Sequence, residues 1–311
     1  MNVLVTSITL GSLYCLIAIV MVLHFKVSSF LNIGVLGYIV LAPYLVSSMT
    51  SENSSPIAFL AVCVFVMVLI SILAFVVDFV LFKPISRLSG SMKVIVSICV
   101  LFIVLTTVDI FWPSGVNLET PVGTNSITLF TTNVLWIDLI TIFITLSIVF
   151  GLFYFLAKTI LGNRLLAFAQ DKQTARAYGI SPLYARLVTS IFTGIMVTIA
   201  GVLLGSPGSP RSGVTSVIFY SLIALSPVII ARHSDLIVCL IASFVVAFMQ
   251  TFASANLDRF NEIFQSFASR IGMATDITLG PTFADRFIPF AIALLALVVI
   301  PTKWIRVDSD G

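Results

Sequence analysis

The sequence predicts an all-α, polytopic membrane protein, and three observations carry that expectation. Of its 311 residues, 59% are hydrophobic and only 9% charged, and the mean hydropathy of +1.17 lies outside the range of water-soluble domains. The apolar runs reach the roughly 20 residues that a helix needs to cross about 30 Å of hydrocarbon. They also lack the alternation of a β-barrel, the other structure that satisfies its own backbone in lipid.

Nine candidate segments follow, at 5–23, 30–46, 57–82, 94–111, 134–157, 187–204, 217–231, 236–252 and 287–300, some of them short or broken. One membrane domain over 1–311 is the economical reading, with a polar inner loop at 158–186 and an outer amphipathic segment at 253–286. The first segment has no basic residue ahead of it and no small-residue cleavage site behind it, so it is expected to be a retained helix. With the N-terminus outside, 12 of the 16 basic residues fall on the inner side, which obeys the positive-inside rule and puts the C-terminus inside. The four cysteines lie in apolar runs without paired spacing, so neither a disulfide framework nor a metal site is expected.

The first segment contains Leu10-Gly11-Ser12-Leu13-Tyr14, whose small residues let a neighbouring backbone approach. In the second, Gly34, Gly37 and Pro43 weaken a helix where only protein or a wet cavity can satisfy the freed backbone groups. Its polar members Asn32 and Tyr44 are candidates for a translocation path together with Gly34, or else interfacial anchors and helix-to-helix hydrogen bonds. The third segment ends at Phe82-Lys83-Pro84-Ile85, and Asp78 is expected to approach Lys83 at the inner interface. An irregular outer loop is expected over 112–133. Gly201 and Gly205 form a Gly-x-x-x-Gly whose default use is packing. The seventh segment is short and broken by Pro227, which suggests a half-helix beside the path. Arg232-His233-Ser234-Asp235 reads as a solvated inner turn. Phe260, Ile263, Phe264, Phe267 and Ile271 describe an amphipathic helix on the outer surface or a docking element.

The polar, basic island at 162–182 organises the rest. Asp171 can cap a short helix, Gly179 can take the left-handed conformation that closes it, and Ser181-Pro182 can start the next one. A rigid two-turn helix tied between two spans is a lever, because whatever grips it moves the spans.

Together these stretches resemble the permease subunits of branched-chain amino acid ABC importers. Leu10 to Ala18 is similar to the family's opening helix, Phe82-Lys83-Pro84-Ile85 to the step ending its third helix, Ala200 to Gly205 to its Ala-Gly-x-Leu-x-Gly helix end, and Phe287 to Pro301 to its final helix. Gly162, Arg164, Ala167, Asp171, Ala175, Gly179 and Ile180 fall at the spacing of the family's cytoplasmic loop, with Arg176 and Tyr178 among them. That resemblance implies a type II-like ABC importer permease in the bacterial cytoplasmic (inner) membrane. Its implied partners are ABC ATPase subunits, a second permease subunit, the same or paralogous, an extracytoplasmic solute-binding protein and membrane lipid, with no nucleic acid. It implies no cofactor on this chain, with ATP and Mg on the partner ATPase. Two stretches depart from the pattern: Asn32-Ile33-Gly34-Val35-Leu36 keeps the family's Asn but lacks its His, and the Gly-rich turn after the seventh segment is replaced by Ser226 to His233.

Three functions compete. A pore-forming subunit of an ATP-driven importer needs a separate motor, since no Gly-x-x-x-x-Gly-Lys-[Ser/Thr] phosphate loop is present. An ion-coupled secondary transporter of small solutes would place carboxylates or His near the midplane, whereas Asp78, Asp109 and Asp138 fall near segment ends. An intramembrane enzyme would need a nucleophile with a base or a metal cluster, and His24 and His233 have no companion motif. The first reading is favoured, with a small neutral or zwitterionic solute as cargo.

Overall fold

The computed structural model describes residues 2–50, 54–113, 118, 120–121, 125–129, 132–206, 214–231, 235–259, 261–262, 265–266 and 287–299. Its helices are α1 (Asn2–Ser28), α2 (Val35–Met49), α3 (Pro56–Val77), α4 (Gly90–Phe111), α5 (Trp136–Lys158), α6 (Ile160–Gln170), α7 (Lys172–Ala177), α8 (Pro182–Gly205), α9 (Val214–Ile223), α10 (Leu225–Ile230), α11 (Leu236–Ala255) and α12 (Ile288–Val299). Among the described residues six helices are long and apolar enough to cross a membrane: α1, α3 with its π-helical extension to Phe82, α4, α5, α8 and α11. The shorter apolar helices α2, α9–α10 and α12 complete a polytopic all-α fold.

α1 runs through the centre of the bundle and packs chiefly on α11 and α8. A helix apolar on all faces belongs in such a position, provided its few polar groups are satisfied. They are. The Thr9 and Ser12 hydroxyls donate to Val5 O and Thr9 O at 3.0 and 2.7 Å. Buried Tyr14 donates to Gln250 Oε1 of α11 at 2.7 Å, and His24 Nε2 meets Thr193 Oγ1 of α8 at 2.6 Å. Because Thr193 gives its proton to Thr189 O, the imidazole is the donor in that pair.

Close backbone approach fixes α8. A Cβ on Gly201 would stand 2.4 Å from Ile39 O, the carbonyl that Pro43, lacking an N–H, leaves free on α2. A Cβ on Gly194 would meet Met67 O of α3 at 2.4 Å. Gly201 and Gly205 therefore pack against Pro43, the packing use expected of their spacing.

The structure corrects several sequence expectations. The second helix begins at Val35, not at 30, because 32–34 form a turn in which Ile33 N–H donates to Ser97 Oγ at 3.2 Å. Asp78 does not pair with Lys83. It binds Arg186 of α8 at 3.2 Å, while Lys83 lies 3.9 Å from the Phe79 ring centre. The π-helical turn Asp78–Phe82 is where the helix is reset to aim that carboxylate. The loop expected over 112–133 includes an antiparallel hairpin, Ser126–Leu129 with Thr132–Leu135, so α5 starts at Trp136. The seventh segment breaks at Ala224, not at Pro227. Proline excludes residue 223 from a continuous helix by clashing with that carbonyl four residues back, so the chain restarts one turn earlier, with Pro227 inside the first turn of α10. The readings made for His233, for Phe260, Ile263, Phe264, Phe267 and Ile271, and for the residues after 299 lie outside the described residues.

Candidate functional site

The island resolves into two helices, α6 and α7, between α5 and α8. Thr159 caps α6 by accepting from Gly162 N at 2.9 Å, and Gly162, Leu165 and Phe168 form the buried face that lays α6 against the bundle. Gly162 is required for that contact, since a Cβ there would stand 2.1 Å from Phe155 O.

Asp171 is extended (φ −141°) and separates the two helices. Its Oδ1 accepts from the backbone N–H of Gln173 and Thr174 at 2.8 and 3.2 Å, and its Oδ2 accepts from the Thr174 hydroxyl. The Thr174 hydroxyl and then the two N–H groups hold the Asp171 carboxyl below the usual carboxylate range. At the other end Gly179 is left-handed (φ 81°), which lets Ile180 N–H reach Ala175 O and Gly179 N–H reach Arg176 O, both at 3.0 Å. That is a Schellman closure, with Ile180 packed near Ala175 as such closures favour. Ser181 then caps α8 through Tyr184 N at 3.2 Å, with Pro182 in the first position.

The residues expected to touch a motor divide into two sets. Arg164, Ala167, Asp171, Arg176, Tyr178 and Gly179 are exposed, and Tyr178 at the tip is 83% exposed. Gly162 and Ala175 are buried and Ile180 is half-buried, so these three set the position of the exposed set.

Three links that sequence reading missed tie this unit and the start of α8 to the rest of the bundle. Tyr184 donates to Leu161 O at 2.8 Å, joining α8 to α6. Arg186 holds both the carboxylate and the backbone carbonyl of Asp78, at 3.2 and 3.0 Å. Lys172 donates to the Ser29 hydroxyl just past α1. Partners 23, 108 and 143 residues away leave no local signal.

Of the four candidate path residues, Asn32 and Gly34 lie together, a Cβ on Gly34 standing 3.1 Å from Asn32 Oδ1, and Tyr44 lies further along α2. Asn32 is buried in the turn ahead of α2 and Tyr44 lies in the second half of that helix, with its ring 5.6 Å from that of Trp112. Asn32 Oδ1 and Tyr44 OH are buried without a hydrogen-bond partner among the described residues, as is Ser226 Oγ beside Pro227. Buried polar atoms of this kind are costly unless something else meets them. Gly34 packs on Ser97 O and Val100. Among the described residues no group of His, Cys, Asp and Glu could hold a metal ion.

A profile of the family described as branched-chain amino acid transport system, permease component, matches residues 3–275. No curated protein and no solved structure matches.

Proposed function

The chain belongs to the permease components of branched-chain amino acid transport systems, and from that premise we propose that it is the membrane-spanning subunit of an ATP-driven ABC importer. It takes a small neutral or zwitterionic solute, branched-chain amino acids or related compounds, from an external binding protein in the bacterial cytoplasmic membrane. Its N-terminus lies outside and its C-terminus inside. The observation that carries this reading is α7: a six-residue helix capped at both ends, exposed at Tyr178 just past it, bound to the end of α1 through Lys172 and Ser29, and set between α6 and α8, which Tyr184 joins to each other and Arg186 joins to the end of α3. So short a helix gains little from its own hydrogen bonds, and caps of this completeness keep it rigid enough to transmit force.

The chain carries no phosphate loop, so ATP and Mg bind a separate ATPase subunit. Closure of two ATPase subunits, each holding the lever of one permease subunit, draws the levers together and opens the cavity toward the loaded binding protein. Hydrolysis returns it to the inside. A second permease subunit, the same or a paralogue, completes the pair.

Gly179→Val forces a β-branched residue into the left-handed region, and Asp171→Pro removes the cap and its extended φ. Both variants are expected to insert normally but to lose capture by the ATPase subunit, measured by pull-down from solubilised membranes. Normal capture and uptake in both would end the lever assignment. Uptake is also expected to persist when ion gradients are collapsed and ATP is retained; its loss would favour an ion-coupled carrier.

A further inference from the structure

Between α7, α8, the start of α4 and the end of α1 lies a cavity of about 210 Å³. Lys93, Lys172, Arg176 and Arg186 line it, against a single carboxylate, Asp78, and the neutral-capable ring of His24. Arg186 already engages that carboxylate. Lys93, Lys172 and Arg176 have no carboxylate of the described residues within ion-pair distance. A basic surface in water would let such side chains spread. Here separate helices gather them around one concave volume that Phe168 and Pro182 also line.

Two further features favour an anion at this place. Ser29, which receives the Lys172 ammonium, is the one non-glycine residue with positive φ (62°) among those described. A helix end explains why some residue there turns left-handed, but glycine or asparagine would do so with less strain, and serine brings a hydroxyl to the rim. Second, burial and then the charges of Lys93, Arg176 and Arg186 lower the Lys172 ammonium to about 8. Mutual repulsion of this kind is relieved by a shared counter-charge.

The geometry points to a binding site for one phosphate-type anion, free or as a lipid headgroup, bridging Lys93 of α4, Lys172 and Arg176 of α7, and the free edge of Arg186 on α8. Tetrahedral oxygens accept from several ammonium and guanidinium donors at once, and the negative charge, one on a phosphodiester headgroup and up to two on free phosphate, offsets the unpaired cations. A bound anion would lock the lever against α4 and α8. The site stands without the ATPase reading; only its effect on transport rests on that reading.

The test uses the full chain in nanodiscs of phosphatidylcholine, titrated with inorganic phosphate at constant ionic strength, beside discs with increasing phosphatidylglycerol. Thermal unfolding is the readout. A rise in Tm with phosphate assigns a soluble ligand, and a rise with phosphatidylglycerol alone assigns the headgroup. Lys93→Gln and Lys172→Gln are each expected to weaken the responding midpoint about tenfold. Lys158→Gln, a lysine at the same end but outside the cavity, is expected to leave it unchanged. The site is overturned if neither probe stabilises the native chain, or if Lys158→Gln weakens the response as much as Lys172→Gln does. Should a cavity variant fail to fold, the titration of the native chain still decides. ATPase capture, scored in parallel, separates the two readings: anion binding without capture removes the proposed function and leaves this site standing.

Discussion

α1 and α8 are buried over 72% of their most apolar stretch, whereas α3 and α4 are buried over 17% and 22% of theirs. Yet α3 is the most apolar of the six spanning helices. In water that order would be reversed. In lipid the surroundings are as apolar as any core, so hydropathy marks what can face the membrane, and the buried helices are recognised by small and hydroxyl residues that allow close approach. α1 brings Ser7, Thr9, Gly11 and Ser12 inward, and α8 brings Thr189, Ser190, Thr193, Gly194, Thr198 and Gly201. α3 fully buries only Val66, Ile70 and Ala74, one face at a four-residue spacing, and leaves the rest half-buried or exposed.

The largest expected effect tests that contrast directly. Gly201→Leu must displace α2, because the new side chain would start 2.4 Å from Ile39 O and 3.0 Å from Ala42 Cβ. Overpacking against backbone is expected to cost about 3 kcal/mol or more, or to prevent accumulation of folded protein. Leu60→Ala on α3, where the native side chain is 65% exposed, is expected to stay within about 0.5 kcal/mol. Denaturant unfolding in detergent measures both. A loss at Leu60 equal to that at Gly201 would mean that α3 is covered by a partner and that the contrast is false.

A smaller effect is expected where the two kinds of helix meet. Asp78 on the rim and Arg186 on the buried helix form a pair largely out of solvent, with 10% and 23% of the side chains exposed. Removing one member leaves the other uncompensated, so Asp78→Ala is expected to cost about 3 kcal/mol. Asp78→Ala with Arg186→Ala should cost less than the sum of the two single changes, by about 1–3 kcal/mol. Additive losses in the same unfolding assay would show that the pair does not couple α3 to α8.

What the sequence discloses follows from the range of the interactions. The lever's caps were legible because Asp171, Gly179, Ser181 and Pro182 act on backbone groups two to five residues away. Membrane class was legible because it needs only length and composition. The partner of Asp78 was not: Lys83 was the nearest cation in sequence, but on the helix it points to the Phe79 ring, and Arg186 comes from another helix. The restart at Ala224 was missed because Pro227 acts on the turn before it. The centrality of α1 was hidden too, since an all-apolar helix at a chain start reads the same whether it faces lipid or protein.

The smallest expected effect contrasts the two sides of the lever. On the capped side, Asp171 is held below the usual carboxylate range, so its contribution is present above the ordinary Asp pKa and is lost as pH falls through the depressed folded value. On the cavity side the slope has the same sign but the charged form is the unfavourable one. Lys172 falls from 10.5 to about 8, so between those values the unfolded chain binds more protons than the folded one, and stability rises with pH across that window. The full cost of burying the ammonium, with the repulsion of its neighbours added, is present below about 8 and relieved above 10.5. In phosphate-free buffer and zwitterionic lipid, Tm is expected to climb gently over this range. Salt should flatten the climb, because the side chain is partly solvated and its neighbours are screened. Lys172→Met keeps the length and removes the charge, so it should start higher at pH 7 and lose the alkaline rise, while the acid limb set by Asp171 stays in place. If Lys172→Met retains the alkaline slope, the repulsion lies elsewhere in the cavity, and the lever is docked by its apolar face alone.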